Sequence, residues 1–342
     1  MLFRARWRIL LPLLALATAC GDGSEEGGSP LTAGDSLDGS SGNDEASTGD
    51  SGPALDMPAD EGLPTATDEG QNADECTNVD ILFVIDNSAS MADQQDSLIA
   101  SFGGFVAGIE ANLAFAESVH VGVVSSDNYY ANGDGCTDLG DLVTQTGGLE
   151  SSMCVGTPFT SGKRYMDETE IDLTAKFKCV AELGIGGSDD EKVAGAVLGA
   201  LAPANNDPGA CNDGFSRLDS LLVIVIVTDE DDAPEPYMCD PNDPFGPNPC
   251  DTTGSGGTPQ EWYEAVVAYK ANIPENVVVL SLLGQSLDND CGAVVASKLI
   301  GFTNRFGDNG FTGDVCAGSY DEFFTAALPV VDTACENYVP VP

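Results

Sequence analysis

Residues 81–90 read Ile81-Leu82-Phe83-Val84-Ile85-Asp86-Asn87-Ser88-Ala89-Ser90, a short apolar run that ends abruptly in oxygen-bearing side chains. Five consecutive apolar residues predict a strand covered on both faces, since a half-exposed strand would alternate. Val119 to Val124, Leu221 to Val227 and Val277 to Leu283 have the same continuous, β-branched character. Between these runs the period changes. Leu98, Phe102, Phe105, Ile109 and Leu113 recur every three to four residues and form one helical stripe, and Val193, Val197, Leu198 and Leu201 form a second. Helices are also expected over Pro259 to Asn272, Ala293 to Arg305 and Tyr320 to Glu336. Strand and helix alternate, so the expected fold is α/β: a doubly wound, mainly parallel sheet in a three-layer α/β/α sandwich.

Three irregular stretches, about 127 to 170, 203 to 217 and 230 to 257, interrupt this core, and each carries cysteine. Insertions of that length need a source of order, and disulfides supply it. Ten cysteines follow Cys20: Cys76, Cys136, Cys154, Cys179, Cys211, Cys239, Cys250, Cys291, Cys316 and Cys335. An even number in an exported chain argues for disulfides, and the absence of short CxxC pairs argues against thiolate zinc. Cys76 and Cys335 are expected to close the domain at its ends, with sequential neighbours paired inside the insertions.

Export is read from the first residues. Arg4, Arg6 and Arg8 precede an apolar run from Ile9 to Ala17, too short to span a bilayer. The run ends in Leu16-Ala17-Thr18-Ala19-Cys20, which resembles the lipobox of bacterial lipoproteins. That resemblance implies a signal peptide over 1–19, a lipid anchor on Cys20 and, with Gly21 next, an outer-membrane or cell-surface location. From Gly21 to Glu75 the chain has no Lys, Arg or aromatic residue and is rich in Gly, Ser and acid. Such a segment buries too little apolar surface to offset its ordering entropy, so 20–75 is expected to be a disordered acidic tether before a domain over 76–338. The net charge is −44 and becomes more negative when the three arginines leave with the leader, which excludes nucleic acid as a partner.

Ligands of open parallel sheets bind where strands end at the carboxyl edge. Three such edges carry oxygen ligands here. Residues two apart in an extended turn project to one side, so Asp86, Ser88 and Ser90 are expected to converge. Gly184-Ile185-Gly186-Gly187-Ser188-Asp189-Asp190-Glu191 opens a helix with a hydroxyl at Ser188, and the run from Leu221 to Val227 emerges into Thr228-Asp229.

The DxSxS at Asp86, Ser88 and Ser90, a glycine-rich loop bearing a hydroxyl, and a strand ending in Thr-Asp resemble, in order and rough spacing, a von Willebrand factor type A domain. The likeness covers about residues 77 to 338 and implies a Rossmann-like fold with a metal-ion-dependent adhesion site. Ser88, Ser90 and Ser188 are then implied as direct ligands, with Asp86 and Asp229 holding the ion's waters. Hydroxyl, carboxylate and water oxygens suit a hard cation, Mg²⁺ or else Ca²⁺ or Mn²⁺. An open coordination position would accept a carboxylate from a partner. Two positions depart from the family's usual pattern, with Ser188 in place of Thr and Glu230 in place of Gly.

A simpler reading of Asp86 or Ser90 is a helix N-cap, which does not explain three converging loops. Glu230, Asp231 and Asp232 are a candidate second cation site. His120, roughly 13 Å from the carboxyl edge at about 3.3 Å per residue, is expected to be structural. Tyr129 and Tyr130 follow the same strand and lie near the proposed metal edge.

No nucleophile with a base, nucleotide loop or zinc motif is apparent, so no enzyme class is expected. The expected function is that of a cell-envelope lipoprotein that binds a divalent cation and, through it, a protein or glycan ligand. The alternative is a structural or assembly component in which the metal only stabilises the loops.

Overall fold

The computed structural model describes residues 76–112, 116–155, 159–188, 190–232 and 254–341. The expected leader and tether, Cys20, Leu113, Cys239 and Cys250 lie outside these. Six strands form one sheet: β1 (Asn78–Ile85), β2 (Ser118–Ser125), β3 (Met166–Asp167), β4 (Leu221–Val227), β5 (Val277–Leu283) and β6 (Gly310–Asp314). Their order is β3-β2-β1-β4-β5-β6. Every pairing is parallel except that of β2 with the two-residue β3. The four strands read from apolar runs are all present.

Alternation within β1 builds two cores. Val79, Ile81, Phe83 and Ile85 face one side, and Leu82 and Val84 face the other. On the first side the sheet is covered by α1 (Ala92–Asn112), α2 (Leu173–Ala181) and α7 (Asp321–Glu336), through side chains such as Phe102, Phe177 and Phe324. On the second it is covered by α3 (Val193–Leu201), α5 (Pro259–Tyr269) and α6 (Ser297–Thr303), through Val197, Trp262 and Phe302. The short α4 (Pro203–Asn206) follows α3. This is the expected three-layer α/β fold. Each fully buried Val, Leu, Ile or Phe contributes roughly 1.5–3 kcal/mol, so the two apolar layers hold the sheet's edges in place.

The differences from the sequence reading have local causes. The two edge strands escaped it because β6 is Gly-Phe-Thr-Gly-Asp and largely half-exposed, and β3 is only two residues long. Helix α2 begins at Leu173, just past an insertion, and buries only Phe177, Val180 and Ala181. Helix α6 is shorter than the pattern implied: it begins at Ser297 rather than Ala293, and at its end the chain tightens into a 3₁₀ turn over Asn304–Asn309.

The pairing of Cys76 with Cys335 is as expected. Cys291 joins Cys316, both beyond the three irregular stretches, a bond for which the sequence reading held no specific expectation. Pairing inside the first insertion is corrected: Cys136 joins Cys211 of the second insertion rather than its neighbour Cys154, and Cys154 joins the next cysteine, Cys179, within the loop so closed. The reason is a tertiary contact between the first two insertions. Asn212 Oδ1 accepts from the Leu142 amide at 2.9 Å, and its Nδ2 donates to Gly140 O at 2.9 Å.

At the amino end of the strands a buried polar network closes the sheet. Asp80 accepts from Arg217 Nε at 2.8 Å, from the Arg217 amide at 2.7 Å and from Ser220 Oγ at 2.5 Å. The buried Lys270 ammonium donates to Arg217 O at 2.6 Å, and burial pulls its pKa down to about 8. His120 lies 3.4 Å from Asp80 and pairs with Phe215 O at 2.9 Å, the structural role expected of it. Burial lowers its pKa, with the Asp80 charge opposing.

Candidate metal centre

The winding of the sheet reverses between β1 and β4: from β1 the chain steps outward to β2 on one side, and later returns to add β4 on the other. Loops leaving the carboxyl ends of these two strands part company, and the crevice between them is where this architecture places ligands. Asp86 terminates β1 there, fully buried, its amide bonded to Val227 O of β4 at 3.0 Å. Asp86 Oδ1 accepts from the Ser88 amide at 2.7 Å, which curls the turn back over the strand end. Asp86 Oδ2 accepts from Thr228 Oγ1 at 2.6 Å, tying the first loop to the third. Ser88 Oγ and Ser90 Oγ lie 3.3 Å apart. Ser90 also bonds the Asp229 carboxylate. Asp86, Ser88, Ser90 and Asp229 therefore meet at one place.

Two devices bring the glycine-rich loop against them. The buried Gln95 side chain of α1 donates to Asp86 O at 2.9 Å and to Gly184 O at 3.0 Å, and accepts from the Gly184 amide at 3.1 Å. The Gly187 amide donates to Asn87 O at 2.8 Å. A side chain at 187 would put Cβ 2.5 Å from Asn87 Oδ1, inside van der Waals contact, so only glycine permits the approach. Asn87 is itself held by Ser125 Oγ at 2.7 Å, at the end of β2.

The side chain that this loop sends inward is Glu191, which the sequence reading passed over. Glu191 is 1% exposed, and neither carboxyl oxygen has a hydrogen-bond partner among the described residues. Its surroundings are Asp86, Ser126 and Glu230. Burial, reinforced by the Asp86 charge, pushes its pKa up to about 10. Asp86 rises to about 6, again chiefly through burial, against the stabilising bonds from Thr228 and Ser88. Asp229, 2% exposed, is raised by burial as well, and its Oδ1 has no hydrogen-bond partner among the described residues. Among the described residues no Lys or Arg forms an ion pair with Asp86, Glu191 or Asp229.

Unpaired carboxyl oxygens are costly to bury, and here they concentrate in one crevice with two hydroxyls and, among the described residues, no ion-paired Lys or Arg. This donor set, all oxygen and partly anionic, fits a hard divalent cation. Glu191 carried a signal that composition alone did not show: it precedes the first turn of α3, one residue before Lys192, on the loop already singled out for its glycines.

The remaining predicted residues are placed as follows. Ser188 is half-buried; its Oγ accepts from the Asp190 amide at 3.1 Å and its own amide donates to Asp127 Oδ2 at 3.1 Å, so these bonds run within its own loop and to the β2 edge. Asp231 accepts from the amides of Lys298 and Leu299 at 2.8 and 3.1 Å and caps α6, which has no side-chain cap of its own. Asp232 accepts from the Ala194 amide at 2.7 Å, capping α3, and from the Ser255 amide and hydroxyl at 2.8 and 2.6 Å. The acidic run thus divides: Glu230 lies beside Glu191, while Asp231 and Asp232 serve helix ends. Tyr129 is buried with its hydroxyl on Leu183 O at 2.7 Å, and Tyr130 is 80% exposed beside a cleft of about 300 Å³ that reaches Asn87, Gly187 and Ser188.

Elsewhere, Cys136, Asp141 and Cys211 bring their ligand atoms within 4.8 Å of one another, a grouping that could hold a metal ion. The two sulfurs are bonded to each other, so neither is a thiolate, and Asp141 already accepts from the Asp138 amide and Asn205 Nδ2. Asp86, Glu191 and Asp229 form no group as tight as this.

Neither a family model nor a curated protein matches the chain. Among solved structures it is similar to proximal thread matrix protein 1 of the mussel byssus, at 14% identity over 76% of this chain and with a TM-score of 0.37. The match spans 49% of that chain, about half its length.

Proposed function

We propose that the domain is of von Willebrand factor type A kind and binds a divalent cation, Mg²⁺ or else Ca²⁺ or Mn²⁺, at the switch point of its sheet. Through that ion it holds a protein or glycan ligand at the cell envelope, where the leader and Cys20 would place it as an exported lipoprotein. One observation carries the reading. Asp86, Ser88, Ser90 and Asp229 meet at the carboxyl edge with a buried Asp229 oxygen that no group among the described residues satisfies. Ser88 and Ser90 would hold the ion through their hydroxyls, and Asp86 and Asp229 through its waters, which suits carboxylates that do not crowd together. The bound ion would supply a positive centre for an oxygen of the partner. The residues around it would orient and desolvate that centre, and the reading is of a binding protein.

The test is capture from envelope extract by immobilised wild type and Asp86→Ala, each in Mg²⁺ and in EDTA. Capture by wild type in Mg²⁺ that is lost in EDTA and in Asp86→Ala supports the reading. Equal capture in all four conditions rules it out. A melting temperature that falls in EDTA with capture unchanged would reduce the ion to a support for the loops.

A further inference from the structure

We infer that Glu191 is a ligand of the ion in the place the family resemblance gives to Ser188, and that it tilts the site toward Ca²⁺. The inference rests on the cation-binding reading above and deepens it. Ser188 Oγ is engaged by the Asp190 amide of its own loop at 3.1 Å. Glu191 instead enters the crevice, 1% exposed, with neither carboxyl oxygen hydrogen-bonded among the described residues and with Asp86 and Glu230 as acidic neighbours.

A carboxylate buried beside other carboxylates, with no Lys or Arg paired to it, is a poor structural element. A cation resolves it. A hydroxyl donor leaves most of the ion's charge exposed, whereas a carboxylate ligand binds more strongly and neutralises part of that charge. Two free oxygens on one side chain also permit bidentate binding, which Ca²⁺ accommodates at its higher coordination number and Mg²⁺, with its strict octahedron, does not. Glu230 at the position where the family usually has Gly adds to the same bias.

The experiment is calorimetric titration of the folded, disulfide-intact chain with Ca²⁺ and with Mg²⁺, for wild type, Glu191→Gln and Ser188→Ala. Wild type should bind Ca²⁺ more tightly than Mg²⁺. Glu191→Gln should lose about 100-fold or more in Ca²⁺ affinity, while Ser188→Ala stays within a few fold of wild type. Equal Ca²⁺ affinity in wild type and Glu191→Gln overturns the assignment while leaving the cation reading intact. No binding of either ion by wild type overturns both, and tighter Mg²⁺ binding overturns the choice of ion. Should Glu191→Gln fail to fold, a crystal structure of wild type with Mn²⁺ decides by whether a Glu191 oxygen ligates the anomalous peak.

Discussion

Asp86 shows how one side chain does several jobs. It ends the central strand, shapes its own turn through the Ser88 amide and reaches across to Thr228, while burial holds its carboxyl above the ordinary value, at about 6 instead of 3.8. Asp229 is raised in the same direction, and Glu191 extends the range from 4.5 to about 10. With folded values above unfolded ones, the native state binds more protons within these windows, so stability falls as pH rises through them. The cation-free protein is therefore expected to melt at a lower temperature at about pH 8 than at about pH 5. Saturating Ca²⁺ favours the charged forms and should flatten that slope. Thermal melts in EDTA and in Ca²⁺ across this range check both, and a melting temperature that climbs with pH in EDTA would refute the assignment of these carboxyls. The residues that converge here were legible because DxSxS follows an apolar run at a strand end. Glu191 was not, since a glutamate before a helix is ordinarily a solvated or capping residue and only its burial sets it apart.

At the scale of elements, the acidic run after β4 acts as scaffolding. Helices α3 and α6 both begin without a local side-chain cap, and Asp232 and Asp231 supply one to each from a distance. Asp231→Ala and Asp232→Ala should each cost about 1–3 kcal/mol of stability, equally in Ca²⁺ and in EDTA. Chemical denaturation under both conditions checks this, and a loss seen only in Ca²⁺ would make these residues ligands after all. The nested disulfides give a second expectation. Cys136–Cys211 spans 75 residues and Cys154–Cys179 spans 25, so on loop entropy alone removing the outer bond as a double Ser variant should cost about 1 kcal/mol more than removing the inner one. Comparison of the two variants by urea unfolding tests it. That the outer bond joins two insertions was not readable from spacing, because cysteine spacing carries no record of which loops a sheet brings side by side.

For the molecule as a whole, the two ends of β1 divide stability from binding. Asp80, at the amino end, is paired with Arg217 and shielded with His120 and Lys270, whereas Asp86, at the carboxyl end, faces Asp229 and Glu191, neither ion-paired to Lys or Arg among the described residues. Asp80→Ala should leave Arg217 without its buried partner and cost about 3–5 kcal/mol, with cation affinity unchanged. Asp86→Ala should show the opposite balance, and paired denaturation and titration measurements separate the two. The sequence by itself determined the layers, the four central strands and the strand-end oxygen motifs, because continuous apolar runs and period-3.6 stripes are local statements about which faces must leave water. Only the tertiary structure decided the edge strands, the pairing of Cys136 with Cys211, and the entry of Glu191 in place of a solvent-facing role. Each of these depends on contacts between segments far apart in the chain, where burial and electrostatics are set by neighbours that no local pattern names.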